Sequence, residues 1–326
     1  MHLHCLACGC FFVRIGLALS GGGIRAAVFH LGVLQYLAER GKFRQIASIS
    51  SVSGASLCIG AIFAVSGNKW PAEDDFLSKV QPLVRRLILE KDIQKTALRR
   101  LPFSPQFWRH RVLLLAKVLQ EQWGINGSLQ DLPTFPFWEI NCTAFETGRS
   151  FRFRRDYMGS KEIGFVKKPT LPIADMIAAS AAFPVLIGPY ILEVGGRNYS
   201  LWDGGVYDNL GLDALHKIGR GMDSEINYII VSNAGAPLEW RQRGRPSANM
   251  RRLLEIAMSQ VDVLRTQDFI SSVVGRGKGA YVKIGQAAGD YPTNLNAPSP
   301  KDFDLIFMDG YDTMLRVDQK RSTWVV

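Results

Sequence analysis

Phe11-Phe12-Val13-Arg14-Ile15-Gly16-Leu17-Ala18-Leu19-Ser20-Gly21-Gly22-Gly23-Ile24-Arg25 is the stretch on which the fold turns. Residues 11–19 read as a buried strand, and Ser20 to Gly23 as a turn that only glycine-rich sequence makes cheaply. From Ile24 to Arg40 the apolar residues Val28, Leu31, Val33, Leu34 and Leu37 recur at helical spacing, with Gly41 as the stop. Ile46 to Val52 is a second short strand-like run, and 54–65 a second helix of small and aliphatic residues. Strand, helix, strand, helix is how a parallel α/β sheet begins.

The alternation continues outward. Residues 73–125 are basic and helical in pattern, with breaks expected at Pro82, Pro102 and Pro105; they read as an insertion able to cover a site. Runs at 137–145 and 150–154 suit a hairpin across Thr147-Gly148. A helix is expected over 172–182, ended by Pro184, then a strand from Tyr199 to Trp202 that reaches Asp203. A helix from Leu210 to Ile218, a buried strand from Ile226 to Val231 and a long amphipathic helix over 247–273 come next. A strand at 280–284 and a helix at 301–316 close the chain, with no repeat or low-complexity tract.

The 326 residues are 47% hydrophobic and 21% charged, the proportions of an ordinary globular protein. A formal charge of +10 favours anionic partners, phospholipid headgroups or nucleic acid. Its basic residues gather in 85–117, 149–168 and 241–252, without a recognition helix or RNA-binding aromatic motif, which ranks a membrane above nucleic acid. Trp108, Trp123 and Trp138 lie near these blocks and read either as interface or as core residues. The N-terminal residues 1–10 form an extension of unassigned role, in which His2, His4, Cys5, Cys8 and Cys10 suggest zinc. No second ligand pair comes after them, so no metal is expected. Cys58 and Cys142 fall in apolar runs and read as buried thiols of a reducing compartment. Arg14 lies within the apolar N-terminal stretch, unlike a signal peptide, and no segment reaches the roughly 18 uncharged apolar residues of a membrane span. The expectation is a cytoplasmic protein, at most peripheral to a membrane.

Chemistry concentrates at three places. The glycine turn lets backbone N–H groups face one point at a helix N-terminus, suiting a phosphate or the oxyanion of an acyl intermediate. It lacks the Gly-Lys-Ser/Thr of a phosphate loop, and Ala26 stands where a dinucleotide fingerprint needs its last glycine. Ser51-Val52-Ser53-Gly54-Ala55-Ser56 lies between a strand and a helix, where a serine is either an N-cap or a nucleophile on a sharp bend. Ser51 and Ala55 stand where the usual bend has glycines; only Ser53 has a glycine directly after it. A nucleophilic serine needs a base. None of His2, His4, His30, His110 and His216 lies late in the chain, so a histidine triad is poorly supported, and Asp203-Gly204-Gly205 offers an aspartate instead.

In this combination the sequence resembles the patatin-like phospholipases. The motifs carrying the resemblance are Ser20-Gly21-Gly22-Gly23-Ile24-Arg25, Val52-Ser53-Gly54, Ala179-Ser180-Ala181-Ala182-Phe183-Pro184 and Asp203-Gly204-Gly205 with Val206-Tyr207-Asp208-Asn209. They cover roughly residues 13–235; nothing family-specific is recognised beyond 235. The resemblance implies a three-layer α/β fold with a mainly parallel central sheet flanked by helices. It places a single domain over 11–316, with the helical basic insertion at about 73–125. It implies a lipid acyl hydrolase of the phospholipase A type that needs no metal or cofactor. Carried over, Ser53 attacks the ester and Asp203 is its base; Gly21, Gly22, Gly23 and Gly54 hold the oxyanion with Arg25 adding charge. Its partners would be a phospholipid or other acyl-ester lipid and an anionic membrane surface. An acyltransferase or thioesterase would share the dyad, and the altered elbow at Ser51 and Ala55 keeps open a non-catalytic lipid-binding module.

Overall fold

The structure, a computed structural model, describes residues 13–320 except Arg109, Val185, Glu239, Arg241 and Arg243, and of Ser247 the backbone alone. The Cys/His-rich extension lies outside the described residues.

β1 (Ile15–Leu19) leads through the glycine turn into α1 (Gly23–Glu39), and β2 (Ile46–Ser51) through Ser53 into α2 (Gly54–Val65). The insertion consists of α3 (Glu73–Asp75), a π turn (Phe76–Val80), α4 (Gln81–Glu90), α5 (Ile93–Arg100) and α6 (Arg111–Trp123). The expected break at Pro82 is absent. Pro82 sits in the first turn of α4, directly after the π turn, whose wider winding accommodates a residue without an N–H. Pro102 and Pro105 do separate α5 from α6, each opening a short 3₁₀ turn.

β3 (Phe137–Ala144), β4 (Arg149–Phe153), β5 (Tyr157–Ser160) and β6 (Gly164–Lys167) form an antiparallel meander, with the expected hairpin at 147–148. Then come α7 (Ile173–Ser180), β7 (Tyr190–Val194), β8 (Arg197–Asp203) and α8 (Gly205–Asp208). The helix expected over 210–218 does not form. Gly211 takes a left-handed φ of 67°, and Leu210, Leu212 and Leu215 instead plug a second apolar cluster. His216 lies on the two-residue strand β9 (His216–Lys217), paired with β10 (Gly221–Met222). β11 (Tyr228–Asn233), α9 (Pro246–Ser272), β12 (Gly279–Lys283), α10 (Gln286–Gly289) and α11 (Pro300–Lys320) complete the chain.

The main sheet runs β12-β11-β1-β2-β3-β4-β5-β6, and its first five strands are parallel. Side chains alternate across it as strand geometry requires. Leu17, Leu19 and Ile230 enter the larger core under α1, whereas Ala18, Ile229 and Val231 enter a smaller one with Phe269 of α9. Helices thus cover both faces. Buried residues of the insertion, among them Val84, Ile88 and Trp123, belong to the larger core.

β3 is the strand that positions the chemistry. Its first half, Phe137 to Ile140, pairs with β2; on from there Cys142 to Ala144 pair with β8, running antiparallel. The ends of β2 and β8 therefore meet beside one strand. That brings Ser53 and Asp203, 150 positions apart in the sequence, to one point.

Candidate active site

Ser53 follows β2 with φ 52° and ψ −114°, a left-handed conformation that an L side chain rarely adopts. It occupies the N-cap position of α2, yet its side chain caps nothing. It lies instead close enough to Asp203 for its hydroxyl to favour the charged carboxylate. An ordinary capping serine would show the reverse, so the N-cap alternative fails.

Asp203 is 3% exposed, and one carboxylate oxygen accepts the Gly205 N–H at 2.8 Å. Burial pushes its carboxyl up to about 6, with the Gly205 hydrogen bond and the nearby Ser53 hydroxyl pulling the other way. Its backbone is held as firmly: Thr143 Oγ1 donates to the Asp203 carbonyl at 2.9 Å, and the Asp203 N–H to the Ala182 carbonyl at 3.0 Å.

The replaced elbow glycines are both accommodated. Ser51 is buried, its Oγ accepting the Trp138 indole N–H at 2.8 Å and lying 2.9 Å from Ser56 Oγ. Ala55 is fully buried in the core. Ser180, which lies at the end of α7 and has no role assigned from sequence, accepts the Ser53 N–H at 2.9 Å and donates to the Asn141 carbonyl at 2.8 Å. Asn141 donates in turn to Ser50 Oγ and the Ser51 carbonyl. A polar scaffold therefore supports the strained serine from beneath.

Gly54 must approach the glycine turn closely: a Cβ there would lie 1.9 Å from the Gly23 carbonyl oxygen. The turn itself reaches φ 142° at Gly22 and 63° at Gly23. Among the described residues, the N–H groups of Gly22, Gly23 and Gly54 have no hydrogen-bond partner. They stand at the N-termini of α1 and α2, where helix dipoles favour negative charge.

Two of the residues expected at an oxyanion site have other partners. The Gly21 N–H is taken by the Asn209 carbonyl at 3.0 Å. The Arg25 guanidinium is buried and tied to carbonyls: Nε to Ala234 at 3.2 Å, Nη1 to Gly289 at 3.0 Å and to Tyr291. Burial lowers its pKa to about 10. Its work is to fasten the turn to the C-terminal loops, where Ile24 also donates to the Asn294 carbonyl at 2.8 Å.

Asn209 is a second residue that sequence did not single out for a role. Besides receiving Gly21, it donates through Nδ2 to Asp262 of α9 at 3.1 Å. Burial pushes the Asp262 carboxyl up to about 7. The histidines stand apart. His30 is fully buried between Ser232 Oγ and the Ser20 carbonyl, and burial lowers its pKa to about 4, leaving it neutral. His216 Nε2 meets Asp268 at 2.9 Å and Ser272 at 3.3 Å, neither of them part of the Ser53 cluster.

The basic blocks are less open than their composition suggests. Arg152 and Arg154 turn inward to the buried Glu139, Arg152 also to Asp213 at 2.5 Å. Arg86, Arg100 and Lys117 pair with Glu90 or Glu121. Trp123 and Trp138 are core residues, with indole N–H groups on the Lys91 carbonyl and Ser51; Trp108 alone of the three is exposed. No helix among the described residues is long and apolar enough to cross a membrane.

A strained serine beside a buried aspartate, facing a glycine turn with open N–H groups, thus lies at the end of the parallel sheet of a three-layer α/β fold. The chain belongs to the patatin-like phospholipase family, a family of lipid hydrolases, which residues 17–216 match. No curated protein matches its sequence. Among solved structures it is similar to human GIVD cytosolic phospholipase A2, crystallised with a methyl gamma-linolenyl fluorophosphonate inhibitor and terbium chloride. The identity is 11% and the TM-score 0.53, over 95% of this chain and 58% of that one. VipD from Legionella pneumophila matches at 16% identity and TM-score 0.47, over 94% of this chain and 67% of that one. ExoU from Pseudomonas aeruginosa matches at 14% and 0.38, over 94% and 52%. At such identities the likeness concerns the fold alone. The chain spans little more than half the length of the human and Pseudomonas proteins.

Proposed function

We propose that this chain hydrolyses carboxylic esters of lipids, as a phospholipase A does, with Ser53 as nucleophile and Asp203 as base. The observation that carries the reading is the backbone of Ser53. Strain of this kind costs about 1–3 kcal/mol and persists where it serves a mechanism. Here it serves no cap, and the hydroxyl lies near enough to a buried carboxylate to shift its pKa.

Ser53 Oγ attacks the ester carbonyl while Asp203 takes its proton. The tetrahedral oxyanion is received by the N–H groups of Gly22, Gly23 and Gly54; loss of one such donor typically slows reaction by about 100–1,000-fold. Collapse expels the lipid alcohol, which recovers the proton from Asp203 and leaves an acyl group on Ser53. Water, deprotonated by Asp203, then releases the fatty acid and restores the serine. A carboxyl pushed up to about 6 is a stronger base than an exposed aspartate and still ionised near neutral pH. The same reading takes residues 11–316 as one catalytic domain, since the insertion shares its core.

The test is fatty-acid release from mixed anionic liposomes by the purified chain, beside Ser53→Ala and Asp203→Ala. Release by the parent and loss in both variants is expected. Release that survives Ser53→Ala overturns the assignment.

A further inference from the structure

α9 turns apolar residues outward as well as inward. A surface helix ordinarily turns its apolar stripe inward and its charges outward. All six charged residues of α9 are instead half-buried against the body or along the flanks. Arg265 lies 3.7 Å from Asp208 and 3.5 Å from Asp213, Asp262 binds Asn209, Asp268 binds His216, and Arg251 and Arg252 pair with Glu255. The outward face carries Met250, Leu253, Ile256, Val263, Leu264 and Ile270, from 39% to 63% exposed. Only uncharged residues such as Gln260 and Gln267 interrupt it. From 250 to 271 this face runs for about 30 Å.

We infer that the outer face of α9 docks on an anionic lipid bilayer, the helix lying in the interface plane. Its ends carry exposed cations, Arg245 before it and Arg276 and Lys278 after it, and no acidic residue among the described ones. Anionic headgroups complement that arrangement. Two copies paired through this face, parallel or antiparallel, would set cation against cation. Trp240, 87% exposed, stands just ahead of the helix, where an indole suits the headgroup level.

The inner face of the same helix forms a wall of the candidate active site. Met258 Cε lies 3.1 Å from where a Cβ of Gly205 would stand, and Asp262 holds the Asn209 that receives Gly21. A bilayer on the outer face is thus about one helix diameter, ~10 Å, from the site's edge. The choice of a lipid surface rests on the proposed lipid-ester hydrolysis; the apolar outer face itself does not.

The experiment is co-sedimentation of the full chain with vesicles of phosphatidylcholine containing phosphatidylserine, comparing the parent with the double variant Leu253→Glu/Leu264→Glu. Bound protein should fall tenfold or more, because two apolar side chains become anionic at an anionic surface. Hydrolysis of a soluble short-chain ester should stay unchanged, which establishes that the variant is folded. Ser53→Ala should bind vesicles as the parent does. Undiminished binding by the double variant overturns the inference, and a parent dimer that the same variant dissociates, with vesicle binding intact, assigns the face to a second copy. Should the double variant misfold, quenching by brominated lipid decides: it must be lower in Trp240→Phe than in the parent, and equal quenching overturns the inference. A parent that binds through α9 but cleaves no ester would sink the hydrolase reading alone.

Discussion

Replacing Asp203 by asparagine should make this protein more stable while disabling it, and the gain should depend on pH. The folded chain holds the Asp203 carboxyl at about 6, because burial disfavours the charged form; in the unfolded chain its ordinary value is 3.8. Folded protein therefore binds this proton more tightly than unfolded protein does. Stability from this group is greatest below about pH 4 and is lost as pH rises through about 6. Above that, keeping the buried carboxylate ionised costs ~3 kcal/mol. Asparagine has nearly the same shape, accepts the Gly205 N–H as the carboxylate does and carries no charge to desolvate. At pH 8 Asp203→Asn should gain ~3 kcal/mol, and at pH 4 almost nothing. With an unfolding entropy of about 2.1 cal/mol/K per residue over this length, the gain is ~4 °C in Tm. Differential scanning fluorimetry of both proteins at the two pH values reads it directly. Asp262, also pushed up by burial, is common to both and cancels. Ester hydrolysis should meanwhile fall by about 100–10,000-fold. Equal melting temperatures at pH 8, or a gap that ignores pH, would refute the claim that burial sets this carboxyl.

Three further expectations concern the same site. The kcat/KM for a soluble ester should rise tenfold per pH unit below about 6 and level off above it; a midpoint near 4 would remove Asp203 as the buried base. Ser180→Ala should cost about 1–3 kcal/mol in denaturant unfolding, because it strips the acceptor from the buried Ser53 N–H, and should slow hydrolysis with it. Gly54→Ala should lower activity at least 100-fold, since its Cβ has no room beside Gly23; Gly41→Ala, with nothing within 4 Å, should lose only ~1–2 kcal/mol of stability and no activity.

Local pattern was the readable part of this chain. Apolar runs ending in glycine or serine gave β1, β2 and their helices, since those elements form from neighbours in sequence. Leu210, Leu212 and Leu215 misled, because their spacing resembles a helix while Gly211 turns the backbone left-handed and the leucines fill a cluster beneath α9. Which N–H groups of the glycine turn stay open was equally hidden. Whether Gly21 offers its N–H depends on Asn209, and whether Arg25 faces the oxyanion depends on Ala234, Gly289 and Tyr291, all more than 180 positions away. The direction of α9 escaped for a related reason: periodicity reveals that a helix has two faces, not which of them meets the protein. The acids and bases it packs against, Asp208, Asp213 and His216, determined that.

Because β3 carries β2 on its first half and β8 on its second, it acts as a common ruler for the proposed dyad. Ser51 sits opposite Ile140 and Asp203 opposite Cys142, two steps further along the same strand. Twisting or breathing of the sheet displaces both carriers together, so the spacing between serine and aspartate is insulated from the commonest sheet motions. The weak point of such an arrangement is the strand itself. One residue inserted between Ile140 and Cys142 would advance the aspartate by a step of about 3.3 Å and turn it to the opposite face of the sheet. Substitutions elsewhere in the sheet change how firmly the dyad is held; an insertion there would dismantle it.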